Sequence, residues 1–194
     1  MQLSKILKTG LALAGLTIGS CFFPTFAAGQ TIKNAGFEEG APETGFVQKV
    51  PRGWTWKNSS FYWIASGLAP VFANATAQEG KAFVGLQRSA SDDVAAVLKQ
   101  RVTGLSEGKT YTLSVWIRAR NAGSRSAKWT ISVMAAGETI AAKSGQAQTE
   151  AWEEQSVTFT ATGPTVIIRL SVNNEPGKDQ IVFFDNVTLT TTTQ

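Results

Sequence analysis

Ile181-Val182-Phe183-Phe184-Asp185-Asn186-Val187-Thr188-Leu189, near the end of the chain, reads as a strand with a charge inside it. Aromatic and β-branched residues of this kind suit a pleated, buried surface. If the segment is extended, Phe183, Asp185, Val187 and Leu189 share one face, and Val182, Phe184, Asn186 and Thr188 share the other. One carboxylate then sits among core residues. A buried, unpaired carboxylate is costly enough that it must be protonated, ion-paired or bound to a metal.

The same rhythm runs backward along the chain. Short extended runs separated by Gly, Asn and Ser turns predict strands at 30–33, 54–57, 81–87, 95–102, 110–120, 128–135, 139–143, 152–161, 165–173 and 181–190. Tyr111, Leu113, Val115 and Ile117 alternate with Thr112, Ser114, Trp116 and Arg118; Val166, Ile168, Leu170 and Val172 alternate with Ile167, Arg169 and Ser171. Many strands with this alternation and almost no helical periodicity predict an all-β chain folded as an antiparallel two-sheet β-sandwich.

The first 27 residues stand apart: Lys5 and Lys8 precede an apolar run from Leu11 to Phe23, and Thr25-Phe26-Ala27 follows Pro24. This is the pattern of a secretory signal peptide, and residues 28–194 form the expected domain. Ile18-Gly19-Ser20-Cys21 also resembles a bacterial lipobox, so lipid anchoring through Cys21 is the alternative to cleavage after Ala27. Either route implies a secreted or periplasmic address. No later run is long enough to form a transmembrane span.

Cys21 is the only cysteine, so the mature domain has no internal disulfide. The formal charge of +4 falls to +2 once Lys5 and Lys8 are removed, and no basic run of the kind used by nucleic-acid binders is present. The chain has no histidine. That excludes Ser-His and Cys-His nucleophile activation, an imidazole base and a conventional zinc site. Chemistry here would have to rest on carboxylates, Tyr, Lys or a hard metal ion.

Six tryptophans are many for 194 residues. Trp129 falls on the face of Ile131 and Val133, Trp152 opens a strand, and Trp54 is expected to turn inward. Trp56, Phe61, Tyr62 and Trp63 crowd into one segment with hydroxyl and amide neighbours, a composition suited to the apolar faces and polar rims of sugar rings. Trp116, Arg118 and Arg169 point away from the core on their strands; on one concave sheet they would form an aromatic, cationic groove for a polysaccharide or oligosaccharide. The competing reading makes the arginines ordinary solvated residues.

Several segments taken in order resemble the carbohydrate-binding modules of the family 4/9 type. Asn34-Ala35-Gly36-Phe37-Glu38-Glu39-Gly40 is similar to their opening motif, and Pro51-Arg52-Gly53-Trp54, Glu79-Gly80-Lys81-Ala82-Phe83, Gly108-Lys109-Thr110-Tyr111 and Phe184-Asp185-Asn186-Val187 follow in the family's order. The resemblance implies a galactose-binding-like jelly roll in which the first and last strands are neighbours. It also implies a structural calcium held by the side chains of Glu38 and Asp185, with backbone carbonyls near Asn34 and Lys81. Asp185 could instead accept only backbone hydrogen bonds or an ion pair. The chain is similar, too, to the Stig cyclases, enzymes of the same fold that build indole alkaloids. That likeness implies a pocket aspartate as general acid, with Asp185 the position to examine and Trp116, Tyr62 and Phe61 as lining. A bound dication would lower the pKa of Asp185, so one carboxylate could not easily serve both purposes.

Overall fold

The computed structural model describes residues 31–57, 60–87, 95–120, 127–173 and 181–192. The signal segment 1–27, with Cys21, lies outside the described residues. Among these residues eleven strands are formed: β1 (Phe46–Val47), β2 (Thr55–Lys57), β3 (Ser60–Ala65), β4 (Ala82–Gln87), β5 (Ala96–Thr103), β6 (Thr110–Ala119), β7 (Ala127–Ala135), β8 (Glu138–Ala147), β9 (Glu153–Thr160), β10 (Thr165–Val172) and β11 (Ile181–Thr191). A 3-10 turn, Pro70–Phe72, lies between β3 and β4. The sheets run β1-β3-β4-β11-β6-β9 and β2-β5-β10-β7-β8, with every pairing antiparallel. This is the predicted sandwich, a galactose-binding-like jelly roll. Among the described residues no helix is long and apolar enough to cross a membrane.

The main core lies between the sheets and is built from the predicted alternating faces: Tyr111, Leu113, Val115 and Ile117 of β6 meet Val166, Ile168, Leu170 and Val172 of β10 and Trp129, Ile131 and Val133 of β7. A second, smaller cluster sits on the outer face of the first sheet, where Ile64, Phe83, Ile181 and Phe183 pack beneath Phe72 of the β3–β4 connection. The first sheet is therefore apolar on both faces near this connection. That explains why β3 and β4 do not alternate in sequence: a strand covered on both sides reads as a continuous apolar run. For the same reason β3 was not foreseen as a strand, and β1, with only two residues, carries no pattern at all.

Two sequence expectations need correction. Residues 31–33 form no strand; the backbone of Lys33 bonds instead to the side chain of Gln100, donating to Oε1 at 2.6 Å and accepting from Nε2 at 2.9 Å. In β11 the expected faces also break apart. Val182 and Phe184 enter the main core while Phe183 joins the outer cluster. The register against β6 then slips between Asp185 and Thr188, with Asn186 at φ 44°, and beyond this bulge Val187 and Leu189 turn inward. Asp185 thus belongs with Phe183 on the outer face, away from the inter-sheet core.

Candidate functional site

The two ends of the domain meet at this bulge. Phe37 is buried against Trp54, with ring centroids 5.3 Å apart, and its carbonyl accepts the indole N–H of Trp63 at 2.8 Å. With Phe37 fixed inward, the next side chain, Glu38, is turned toward the start of β4. Its carboxylate accepts the N–H of Lys81 at 3.0 and 3.1 Å and that of Ala82 at 3.1 Å. Gly80 makes this approach possible: it has φ +70°, and a Cβ there would fall 2.5 Å from Glu38 Oε1. The carbonyl of Ala35 accepts the N–H of Val187 at 3.0 Å, tying the opening segment to the closing strand.

Asp185 holds the other side of the same segment. Its Oδ2 accepts the N–H of Gln78 at 2.8 Å and of Glu79 at 3.3 Å, and its Oδ1 accepts the N–H of Asn186 at 2.7 Å. Asn186 Nδ2 donates to Gln78 Oε1 and Glu79 Oε2, each at 3.0 Å. Asp185 is 0% exposed. Burial pushes its pKa up to about 7; the three backbone N–H groups oppose the rise, and the neighbouring Glu38 adds to it. Residues 78–82 are in effect clamped between two carboxylates.

Two mutually repelling carboxylates suit a hard cation in kind, and no Lys or Arg answers them: the ion pair found among the described residues is Arg52–Glu39, on the surface. The carbonyls expected to complete a calcium shell are already engaged. That of Asn34 accepts from Phe37 N at 3.1 Å and Trp54 Nε1 at 3.2 Å, and that of Lys81 accepts from Ser66 N at 2.9 Å. Among the described residues no group of three or more His, Cys, Asp or Glu side chains gathers as a metal cluster. Glu38 and Asp185 are thus the side chains that would hold the ion; the Lys81 carbonyl keeps a second lone pair to add, whereas both lone pairs of the Asn34 carbonyl are taken.

The predicted aromatic site is distributed differently from the expectation. Trp116 is half-buried on the outer face of β6, directly opposite Asp185 on one side and Glu154 on the other. Arg118, one turn of the pleat along, is buried with its guanidinium 5.6 Å from the Trp152 ring centre and 5.9 Å from that of Phe183. Burial lowers its pKa, an effect that the charge of Glu150 opposes. Trp152 in turn donates to the carbonyl of Thr76 at 3.0 Å, so this stack fastens the β3–β4 connection down. Tyr62 is half-buried on the outer face, edge-on to Phe46 and Phe72, with its hydroxyl 2.9 Å from Gln87 Oε1.

Phe61 and Trp63, expected on a ligand-binding face, are instead buried in the main core, because β3 alternation sends them inward while Tyr62 goes out. Trp56 is exposed, but it lies on β2 in the second sheet. Arg169 is on β10, also in the second sheet, so Trp116 and Arg118 cannot share one groove with it. Gln78, Glu79, Gly80 and Asn186 were not anticipated as parts of the corner. Their signal was faint: a glycine before a strand, and an amide next to a buried acid.

A family model described as HpiC1 cyclase matches residues 28–190. Among solved structures, the chain is similar to a cyclase from Fischerella sp. TAU in complex with 4-(1H-indol-3-yl)butan-2-one, at 25% identity and a TM-score of 0.69, covering 84% of this chain and 96% of that one. It shares its fold with TmCBM61 in complex with β-1,4-galactotriose, at 17% identity and a TM-score of 0.58 over 85% of this chain and all of that one. The same holds for the CBM22-1 xylan-binding domain of Paenibacillus barcinonensis Xyn10C, at 14% and 0.53 over 80% and 90%. No curated protein matches the chain by sequence.

Proposed function

The chain belongs to the HpiC1-like cyclase family, and from that premise we propose that it is an exported cyclase acting on an indole-bearing isoprenoid, with calcium fastening the Glu38–Asp185 corner. The observation that carries this reading is the family match across residues 28–190, which takes in all but the last four residues of the expected domain. The indolyl ketone held by the Fischerella cyclase supports an indole-bearing substrate for this chain as well. Geometry supports the reading indirectly. The aromatic face that a glycan-binding module would need is divided, with Phe61 and Trp63 in the core and Trp116 and Arg169 on opposite sheets.

Such a cyclisation neither adds nor removes atoms. A proton is delivered to the substrate, a cationic intermediate closes a ring, and a proton leaves. The protein's part is to exclude water, shape the chain and present aromatic faces to developing positive charge. We assign that role to Trp116, which is half-buried and stands opposite Asp185. Asp185 is the carboxyl of raised pKa, yet its oxygens face the N–H groups of Gln78, Glu79 and Asn186. We therefore assign it first to the anchoring of the corner. The test is incubation of the purified protein with an indole-isonitrile terpenoid in calcium buffer. A product of unchanged mass and altered chromatographic retention is expected. Absence of such a product, together with no binding of 4-(1H-indol-3-yl)butan-2-one, would overturn the proposal.

A further inference from the structure

The outer face of the second sheet carries a groove of about 410 Å³ that the cyclase reading does not use. Lys33, Lys99 and Arg101 line it together with Thr31, Thr55 and Thr103, the Thr55 hydroxyl donating to the Lys99 carbonyl at 3.2 Å, and no acidic side chain lines it among the described residues. None of the three cations forms an ion pair among those residues. Lys99 and Arg101 are two apart on β5 and so share a face, roughly 7 Å from each other along the strand. Arg169 of β10 lies directly beside Lys99 in the register and extends the charge across the sheet.

The groove is held in shape before any ligand arrives. Its wall, residues 31–33, is pinned by the two hydrogen bonds between Lys33 and the buried side chain of Gln100. Gly53 closes against that wall at φ +85°, where a Cβ would lie 2.6 Å from the Cβ of Lys33. Two cations in line on β5 and a third on the facing wall, with no acidic side chain in the lining among the described residues, call for a ligand bearing repeated anions, and the exposed Thr103 beside them suits one with hydroxyls of its own. Ile167 is the apolar contact on the floor. No aromatic side chain lines the groove, so neither nucleobase stacking nor the flat stacking used for neutral sugars is available.

We propose that this groove binds a carboxylate-bearing polysaccharide, a chain of uronic acid units, through Lys33, Lys99 and Arg101. It is a binding site separate from the Glu38–Asp185 corner and would hold the exported protein on an acidic matrix. The test is affinity electrophoresis of the full chain in gels containing polygalacturonate, dextran or polyphosphate at matched charge where charged. Retardation by polygalacturonate, weakened by salt and absent with dextran, is expected. Lys99→Gln combined with Arg101→Gln weakens it about tenfold or more, with an unchanged thermal melt. No retardation by polygalacturonate, equal retardation by polyphosphate, or a double variant that binds like the parent would each overturn it.

Discussion

Asp185 and Trp116 are direct cross-strand partners in the β11–β6 ladder, and the slip in register begins at the next residue of β11. Opposed residues share a face at about 5 Å between Cβ atoms. The indole therefore stands beside a carboxyl that is fully enclosed; alternation from Phe183 carries that carboxyl to the outer face, and the bulge that follows returns Val187 and Leu189 to the core between the sheets.

Trp116→Ala should lower cyclase turnover by about tenfold, the scale of one lost cation–aromatic contact, while shifting the thermal midpoint little, because the ring is only half-buried. Trp63→Ala is the control. That ring is 2% exposed and bonded to the carbonyl of Phe37, and its loss should cost about 3–5 kcal/mol of stability. Turnover and melting measured on both variants check the contrast; equal loss of stability in the two would remove Trp116 from the substrate site.

Calcium should stabilise the fold through the corner. At a hundredfold excess over its dissociation constant, a site of this kind contributes about 2.7 kcal/mol, or roughly 5–10 °C in the midpoint for a domain this size. Chelation should remove that increment from the parent and leave Glu38→Gln almost unchanged. Differential scanning calorimetry with and without chelator decides it.

The pH dependence of the chelated protein follows from Asp185. Its pKa is about 7 when folded against about 3.8 as a free carboxyl, so the native state holds more protons between those values. Stability then falls as pH rises from about 4 to about 7, by up to roughly 4 kcal/mol from this group. A chelated sample should melt lower at pH 8 than at pH 5 on this account. Calcium, which binds the ionised carboxylate, should reverse the trend. Melts across that range in both conditions are the measurement.

How much of this could be seen in the sequence depended on what covers each strand. The faces of β6, β7 and β10 were legible because one side meets the core and the other does not, so periodicity alone sorted Leu113 from Ser114 and Ile168 from Arg169. Phe61 and Trp63 were misplaced because both sides of β3 are covered there, which erases the alternation that would have sent them inward. The pairing of Glu38 with Asp185 was legible only through resemblance to a family. What no pattern could give was the hold of Asp185 on Gln78 and Glu79, more than a hundred residues away, or the left-handed Asn186 that sets it.

The two possible tasks of Asp185 separate when it is compared with Glu38. Glu38→Gln weakens the calcium corner but leaves the Asp185 carboxyl able to carry a proton. Asp185→Asn removes the proton as well, and it places an amide among three backbone donors, at a cost of about 1–3 kcal/mol for the group left unsatisfied. If Asp185 is an anchor, both variants should lose turnover in parallel with calcium affinity and regain much of it at high calcium. If it donates the proton, Glu38→Gln recovers with calcium whereas Asp185→Asn stays inactive at every concentration. Because its oxygens are turned to Gln78, Glu79 and Asn186, parallel loss and parallel rescue are expected. Turnover titrated against calcium for the two variants is the deciding experiment.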